Sequence, residues 1–196
     1  VRDITARKTL EMEVRRQTTR LQAMADMAEL FAAASLNVQM RLDLMVQKLV
    51  EWLGDACFAY QLADDKQWLT LVAQHTAVPL APTLGHCIPV TTSPSPDKRT
   101  VQEQVLHRKQ PLLLPIISAP QLSTVLQPAT PPTAAQPAMH SLIITPICLE
   151  GQVFAILHLL RSQPDWPAFT QDDLHLVQDL VSRAALAIRN AQLYQA

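Results

Sequence analysis

Residues 141–160, SLIITPICLEGQVFAILHLL, decide the fold of this chain. Two apolar runs, 142–149 and 153–160, flank the dipeptide Glu150-Gly151. A polar residue followed by glycine between two apolar runs is a strong signal for a tight turn between antiparallel strands. The stretch therefore predicts a β-hairpin.

The two faces of this hairpin are predicted from the alternation of side chains along a strand. If Glu150 and Gly151 are the two central turn residues, one face is wholly apolar and includes the small Ala155, which suits close packing of helices. The other face carries Thr145 and His158 among aliphatic side chains, the composition of a ligand cavity with a few orienting polar groups. The apolar face is predicted to hold Leu142, Ile144, Cys148, Val153, Ala155, Leu157 and Leu159, and the cavity face Ser141, Ile143, Thr145, Ile147, Phe154, Ile156, His158 and Leu160.

His158 is the leading candidate for a ligand-binding residue, because an imidazole can donate to a ligand and can change charge near neutral pH. The alternative, a core histidine that is hydrogen-bonded to the backbone, stays open. Ser141, Thr145, His140 and His86 are weaker candidates, since each can also lie at a strand end facing water. The identity of the ligand and of any cofactor is not predicted.

A second hairpin is predicted upstream, with strands at 55–62 and 68–73 on either side of the turn Asp64-Asp65-Lys66. A helix over about residues 38–53 precedes it, with leucine and methionine along one side and Gly54 as its stop. The order helix, hairpin, connection, hairpin predicts an antiparallel sheet.

The connection between the hairpins has an unusual composition. Residues 111–149 contain no Asp, Glu, Lys or Arg, and their prolines forbid one continuous helix or central strand. A short strand is predicted at 112–114 within this long connection. Long connections are either binding loops or mobile insertions, and for 127–138 a poorly ordered loop is the preferred interpretation.

Both ends of the chain are predicted to be helices that need partners. Near the C-terminus, Thr170 is a candidate helix cap with Asp172 and Asp173 in the first turn. Near the N-terminus, a heptad seam of three repeats indicates pairing between two copies, although packing on its own domain is an equal alternative after Leu21. A homodimer through the terminal helices is therefore expected. The seam consists of Leu10, Val14, Gln17, Leu21, Met24, Ala28 and Phe31.

Composition excludes several other classes of protein. The chain has 196 residues and a formal net charge of −1, which leaves no basic surplus for phosphates, so no nucleic-acid partner is expected. No apolar run is long enough to span a bilayer and no signal peptide opens the chain, so a cytoplasmic location without membrane insertion is expected. Three cysteines without C-x-x-C spacing indicate neither a disulfide framework nor a zinc site.

Several segments resemble the GAF domain family. Residues 139–147 (MHSLIITPI) resemble its r-S-l-l-x-x-P-l strand, and residues 150–157 (EGQVFAIL) resemble its g-G-x-v-i-G-v-l hairpin. Residues 169–174 (FTQDDL) and 184–194 (AALAIRNAQLY) are similar to its closing F-t-x-e-D-l and A-a-i-A-I-x-N-A-x-L-y blocks. The resemblance covers about residues 21–194. It implies an α+β, PAS-like fold with a central antiparallel sheet, terminal helices on one face and a loop- or helix-covered pocket on the other.

Residues 3–11 (DITARKTLE) resemble the D-I-T-x-R-K-x-L-E signature that closes PAS sensor domains and opens a signalling helix. The resemblance divides the chain into a PAS exit with a coiled-coil signalling helix at 1–20 and a GAF domain at 21–196. It implies a sensory module within a larger signalling protein, which binds a small molecule or relays PAS signals to an output domain such as a histidine kinase.

The departures from the family pattern bear on function. No cyclic-nucleotide motif is evident, and His86-Cys87 reverses the Cys-His order of bilin-attaching domains. GAF-fold methionine sulfoxide reductases use cysteines, but Cys57 and Cys148 fall inside predicted apolar strands and only Cys87 is predicted in a loop. No enzyme activity is expected for this segment. A ligand-free dimerisation spacer is the competing interpretation.

Overall fold

The computed structural model describes residues 37–77, 86–90, 99–118, 139–163 and 166–195, together with the single positions 18, 25 and 121. The PAS-like segment 3–11, the residues of the heptad seam and the Pro/Ala-rich segment 127–138 lie outside this set. The predictions made for them, and the division of the chain at residue 20, therefore remain predictions.

Within these residues the chain forms three helices and six strands. In chain order the elements are α1 (Val38–Leu53), β1 (Ala56–Leu62), β2 (Trp68–Thr76), β3 (Cys87–Pro89), α2 (Val101–Arg108), β4 (Leu112–Leu114), β5 (Ser141–Leu149), β6 (Gln152–Arg161) and α3 (Gln171–Gln195). The strands make one antiparallel sheet in the order β3-β2-β1-β6-β5-β4. The helix at 38–53, both hairpins and the strand at 112–114 are confirmed, whereas α2 and β3 were not predicted.

The sheet carries a buried apolar layer on each face. On one side, which we call the helix face, α1 and α3 pack on alternate residues of the central strands. On the other side, the α2 face, Val101 and Val105 of α2 join the layer formed by the intervening residues. The helix-face layer includes Cys57, Ala59, Ile143, Ile147, Ala155, Leu157 and Leu159, and the α2-face layer includes Ala56, Phe58, Tyr60, Leu142, Ile144, Ile156 and Leu160.

The β5–β6 turn is the predicted one, but an irregularity follows it. Glu150 and Gly151 have φ angles of 50° and 77°, as the central residues of a type I′ turn require. Cys148 then pairs with Val153, whereas the next residue of β5, Ile147, pairs with Ala155. The intervening residue of β6 is thus a β-bulge, which reverses the side-chain alternation beyond it.

This bulge makes half of the face prediction wrong. Ile144 pairs with His158, so these two side chains share the α2 face. Ser141 and Thr145, predicted beside His158, alternate with Ile143 and Ile147 on the helix face. The prediction is correct for Ala155, Leu157 and Leu159 on the helix face and for Ile156, His158 and Leu160 opposite; it is wrong for Ser141, Leu142, Ile143, Ile144, Thr145, Ile147, Val153 and Phe154.

A buried arginine joins the end of β6 to both flanking helices. Arg161 is 4% exposed, and its Nε donates to the carbonyl of Leu53 at the end of α1 (2.8 Å). Its Nη1 donates to the carbonyl of Pro167 (2.9 Å) and lies 3.7 Å from Oδ2 of Asp173 in the first turn of α3. The guanidinium carbon also lies 4.0 Å from the ring centroid of Phe169. We call this group the Arg161 junction.

The predicted cap of α3 is part of the same region. The backbone N–H of Thr170 donates to Oδ2 of Asp173 (2.8 Å), and the N–H of Asp173 points back to Oγ1 of Thr170 (3.3 Å). This reciprocal pair satisfies N–H groups that have no partner inside the helix. The capping role predicted for Thr170 is confirmed.

Gly54 lies where α1 ends against β6, and it offers a test of this packing. A Cβ atom at Gly54 would lie 2.7 Å from the carbonyl oxygen of Leu160 and 2.9 Å from Cδ1 of Leu159. We expect Gly54→Ala to lower the free energy of unfolding by about 1–3 kcal/mol, because the backbone has to move. Gly151→Ala meets no atom within 4 Å, and its cost comes from the positive φ alone. Denaturant titration measures both, and an unchanged stability of Gly54→Ala would contradict the close approach.

Candidate functional site

His158 lies in the middle of the α2-face layer. Its neighbours across the adjacent strands are Phe58 in β1 and Ile144 in β5. The side chain is 0% exposed, and neither ring nitrogen has a hydrogen-bond partner among the residues that the structure describes. The backbone hydrogen bond of the core-histidine alternative is therefore not present in the described part of the chain, and the ligand-binding role stays a prediction. Burial lowers the pKa of His158 to about 3, so the ring is neutral at physiological pH.

Tyr60 is the second polar group of this layer, and it was not among the predicted ligand-binding residues. Its ring centroid lies 5.2 Å from that of His158, with the two planes tilted by 46°. The tyrosine is also 0% exposed, and its hydroxyl group has no hydrogen-bond partner within the described part of the chain. Burial raises the pKa of Tyr60, so the phenol keeps its proton. A tyrosine inside a predicted buried strand was the available signal, because buried tyrosine hydroxyls usually find a partner.

The two side chains place three unpartnered polar atoms together in an apolar layer. An unpaired buried donor or acceptor costs about 1–3 kcal/mol, and such atoms are rare in native proteins. A neutral imidazole offers one donor and one acceptor, and a phenol offers both. His158 and Tyr60 together therefore offer donors and acceptors that are complementary to a small polar group. We call them the His158–Tyr60 pair.

A cavity of about 350 Å³ opens at one end of the same face. Leu62 in its wall is two residues from Tyr60 along β1, a separation of about 7 Å on one face of a strand. The wall is apolar and the rim is charged, and the volume falls within the range of small-molecule sites. The lining residues are Leu62, Lys66, Val90, Arg99, Glu103, Leu106, His107, Lys109, Gln152 and Val153.

Helix α2 forms one side of this cavity, and its ends are fixed by local hydrogen bonds. At its start, the N–H of Thr100 donates to Oε2 of Glu103 (2.9 Å), and the N–H of Glu103 donates to Oγ1 of Thr100 (3.2 Å). At its end, Lys109 has a φ of 53°, and its N–H donates to the carbonyl of Val105. The T-x-x-E spacing of a capping box was the sequence signal for this helix.

Of the five predicted ligand residues, the structure places only His158 in this layer. The hydroxyl of Ser141 accepts from the N–H of Phe169 (2.9 Å), which makes it a structural link to the segment before α3. Thr145 is buried on the helix face. The Nε2 atom of His140 lies 3.1 Å from the carbonyl of Trp166, and His86 is exposed beside β3.

The cysteines are not arranged as an attacking thiolate would require. Burial raises the pKa of the Cys57 thiol well above its usual value and raises that of Cys148 as well, whereas nucleophilic cysteines have lowered pKa values. Cys87 was predicted in a loop but lies exposed in the edge strand β3. Among the residues that the structure describes, no three His, Cys, Asp or Glu side chains are grouped to hold a metal ion.

The sheet, the helices on one face and the cavity on the other define an α+β domain of the sensory type. The model of the GAF domain family matches residues 37–188, and the chain belongs to this family. GAF domains are in general sensory and regulatory modules and not catalysts. No curated protein matches the chain. Among the described residues, no helix combines the length and the apolar character needed to cross a membrane.

Solved structures with low sequence identity share the fold. The GAF domain of an Acinetobacter phosphoenolpyruvate-protein phosphotransferase has a TM-score of 0.66 at 17% identity, over 88% of this chain and 94% of that one. Residues 122 to 287 of a methyl-accepting chemotaxis protein have a TM-score of 0.65 at 18% sequence identity, over 89% of this chain and 99% of that one. A free methionine-R-sulfoxide reductase from Neisseria meningitidis, in complex with its substrate, has a TM-score of 0.67 at 14% sequence identity, over 89% of this chain and 91% of that one. At these identities the likeness extends to the fold alone.

Proposed function

We propose that this chain is a sensory module that binds a small molecule on the α2 face and passes the effect of binding to α3. The observation that carries the proposal is the His158–Tyr60 pair, with three buried polar atoms that lack partners. Because His158 is neutral and its layer is apolar, the favoured ligand is uncharged where it meets the pair and presents both a donor and acceptors.

Strand β6 provides the path from this site to the output helix. His158 and Arg161 lie three residues apart on β6, and Arg161 contacts the end of α1 and the first turn of α3. A ligand changes the balance between two arrangements only if it binds one of them better. A ligand that repositions His158 thus acts on the strand that holds the Arg161 junction.

The wider context is also a proposal. The PAS-like segment 3–11 and the heptad seam support an upstream PAS domain and a homodimer paired through its terminal helices. Leu186 on α3 and Met40 on α1 are 60% and 50% exposed, which is consistent with helices that meet a second copy. A cytoplasmic location and a histidine kinase as the output domain complete this proposal.

Native mass spectrometry of freshly purified protein tests the ligand and the dimer together. We expect a dimer with one bound small molecule per protomer, which His158→Leu loses while it remains a dimer. His175→Leu, which alters an exposed histidine of α3, is the control and should keep the bound mass. A fully occupied His158→Leu variant would contradict the assignment of the pair.

The ligand-free dimerisation spacer is the second candidate function. It is favoured by one observation: the residues that line the 350 Å³ cavity do not include His158 or Tyr60. In that case the mass spectrum shows a dimer of the bare chain, and added metabolites do not raise its melting temperature. The same spectrum therefore separates the two functions.

A further inference from the structure

We propose a second small-molecule site, on the helix face, that binds an oxyanion group (phosphate or carboxylate) between α3 and the β5–β6 turn. A cavity of about 370 Å³ lies there. It is separated from the His158–Tyr60 pair by the sheet itself, because its floor includes Thr145 of β5 on the opposite face. Its existence does not depend on the sensory proposal above.

One side of α3 supplies a row of polar groups to this cavity. Gln178, Ser182 and Arg189 line it and recur at helical spacing on a single face of the helix. Across from them, Thr145 of β5 is 2% exposed and lines the cavity. Two hydroxyl groups and an amide thus converge on one space.

The charges at the rim favour an anion. Lys109 and Arg189 line the cavity, and Glu150 is the one acidic residue among its walls, which leaves an excess of positive charge. Burial raises the pKa of the Cys148 thiol in the floor, and the nearby charge of Lys109 opposes that rise.

Both cations contact the hairpin turn. Nζ of Lys109 donates to the carbonyl of Gly151 (2.6 Å), and Nη2 of Arg189 lies 3.0 Å from Oε1 of Glu150. An ammonium has three N–H donors and a guanidinium has five, so each retains donors for a ligand. Hydrogen bonds from such groups to phosphate or carboxylate are stronger than neutral ones. A bound oxyanion would connect α3 to β5 and restrain the C-terminal half of the output helix.

Titration calorimetry with inorganic phosphate and, separately, with succinate tests the site in low-salt buffer. We expect saturable binding, at least tenfold weaker in Arg189→Gln and several-fold weaker in Thr145→Val, because the first loses charged hydrogen bonds to the anion and the second loses a neutral one. Arg183→Gln is the matched control, since it makes the same charge change on an exposed part of α3 outside the cavity, and should bind within about twofold of the parent.

Comparison of the two anions identifies the oxyanion that the site prefers. A phosphate site binds inorganic phosphate more tightly than succinate, and a carboxylate site binds succinate more tightly than phosphate. Equal weakening by Arg189→Gln and Arg183→Gln, or no saturable binding of either anion, overturns the proposal. His158→Leu should leave anion binding unchanged. Failure of the anion-site proposal can therefore be distinguished from failure of the proposed α2-face ligand site, because separate measurements test the two sites.

Discussion

Acidification from pH 7 to pH 5 is expected to cost the parent protein about 2 kcal/mol more of its free energy of unfolding than it costs His158→Leu. The cause is the buried imidazole. Its pKa in the folded protein is about 3, compared with the ordinary value of 6.5 that it regains on unfolding. The unfolded chain therefore takes up a proton in this range, and the folded chain does not.

The sign follows from proton uptake. Stability rises with pH wherever the unfolded state binds more protons. His158 thus has no pH-dependent effect on stability above about pH 6.5, and the free energy of unfolding falls progressively as the pH decreases from there toward 3. Tyr60, the titratable neighbour whose ring contacts it, has a raised pKa and stays neutral across this window.

Urea titrations at several pH values between 5 and 7 measure this difference. His175→Gln, which removes an exposed histidine, is the control and should follow the parent. His158→Leu should still fold at pH 7, because an apolar side chain replaces two unpaired nitrogens in an apolar layer. If parent and His158→Leu lose stability in parallel below pH 6.5, His158 is not held neutral by burial.

The elements that the sequence predicts correctly are those with local signals. Glu150-Gly151 specifies its turn through two positive φ angles, and Thr170 with Asp173 caps α3 through hydrogen bonds between residues three apart. These signals do not depend on the rest of the fold. The hairpins and the terminal helix of the fold were therefore predictable.

The error in the candidate site has a single structural origin. The bulge in β6 at residue 154 reverses the alternation of β5 relative to β6, and this moved Ser141 and Thr145 to the helix face. Among the described residues near the bulge only the two turn residues have φ > 0, and no glycine or proline lies at residues 152–155 to mark the bulge in the sequence. Tyr60 was accessible from sequence, but its proximity to His158 depends on the β1–β6 register.

Removal of the Arg161 side chain is expected to have the largest effect on stability among the substitutions considered. Arg161→Met should lower the free energy of unfolding by about 3–5 kcal/mol, the cost of breaking a buried ion pair together with its hydrogen bonds. Methionine fills much of the same volume but donates no hydrogen bond. It leaves the carbonyls of Leu53 and Pro167 without their donor and removes the cation nearest to Asp173.

Arg161→Lys keeps the positive charge at this junction but removes the planar guanidinium group. A single ammonium cannot reach both carbonyls and also stack on Phe169 as the planar guanidinium does, so we expect lysine to restore less than half of the loss. Arg183→Met, at an exposed position of α3, should change stability by no more than about 0.5 kcal/mol. Guanidinium titrations with an unchanged slope measure all three variants. A loss below 1 kcal/mol for Arg161→Met would show that the polar contacts of Arg161 contribute little to joining α1, β6 and α3, and the proposed path from β6 to α3 would lose its support.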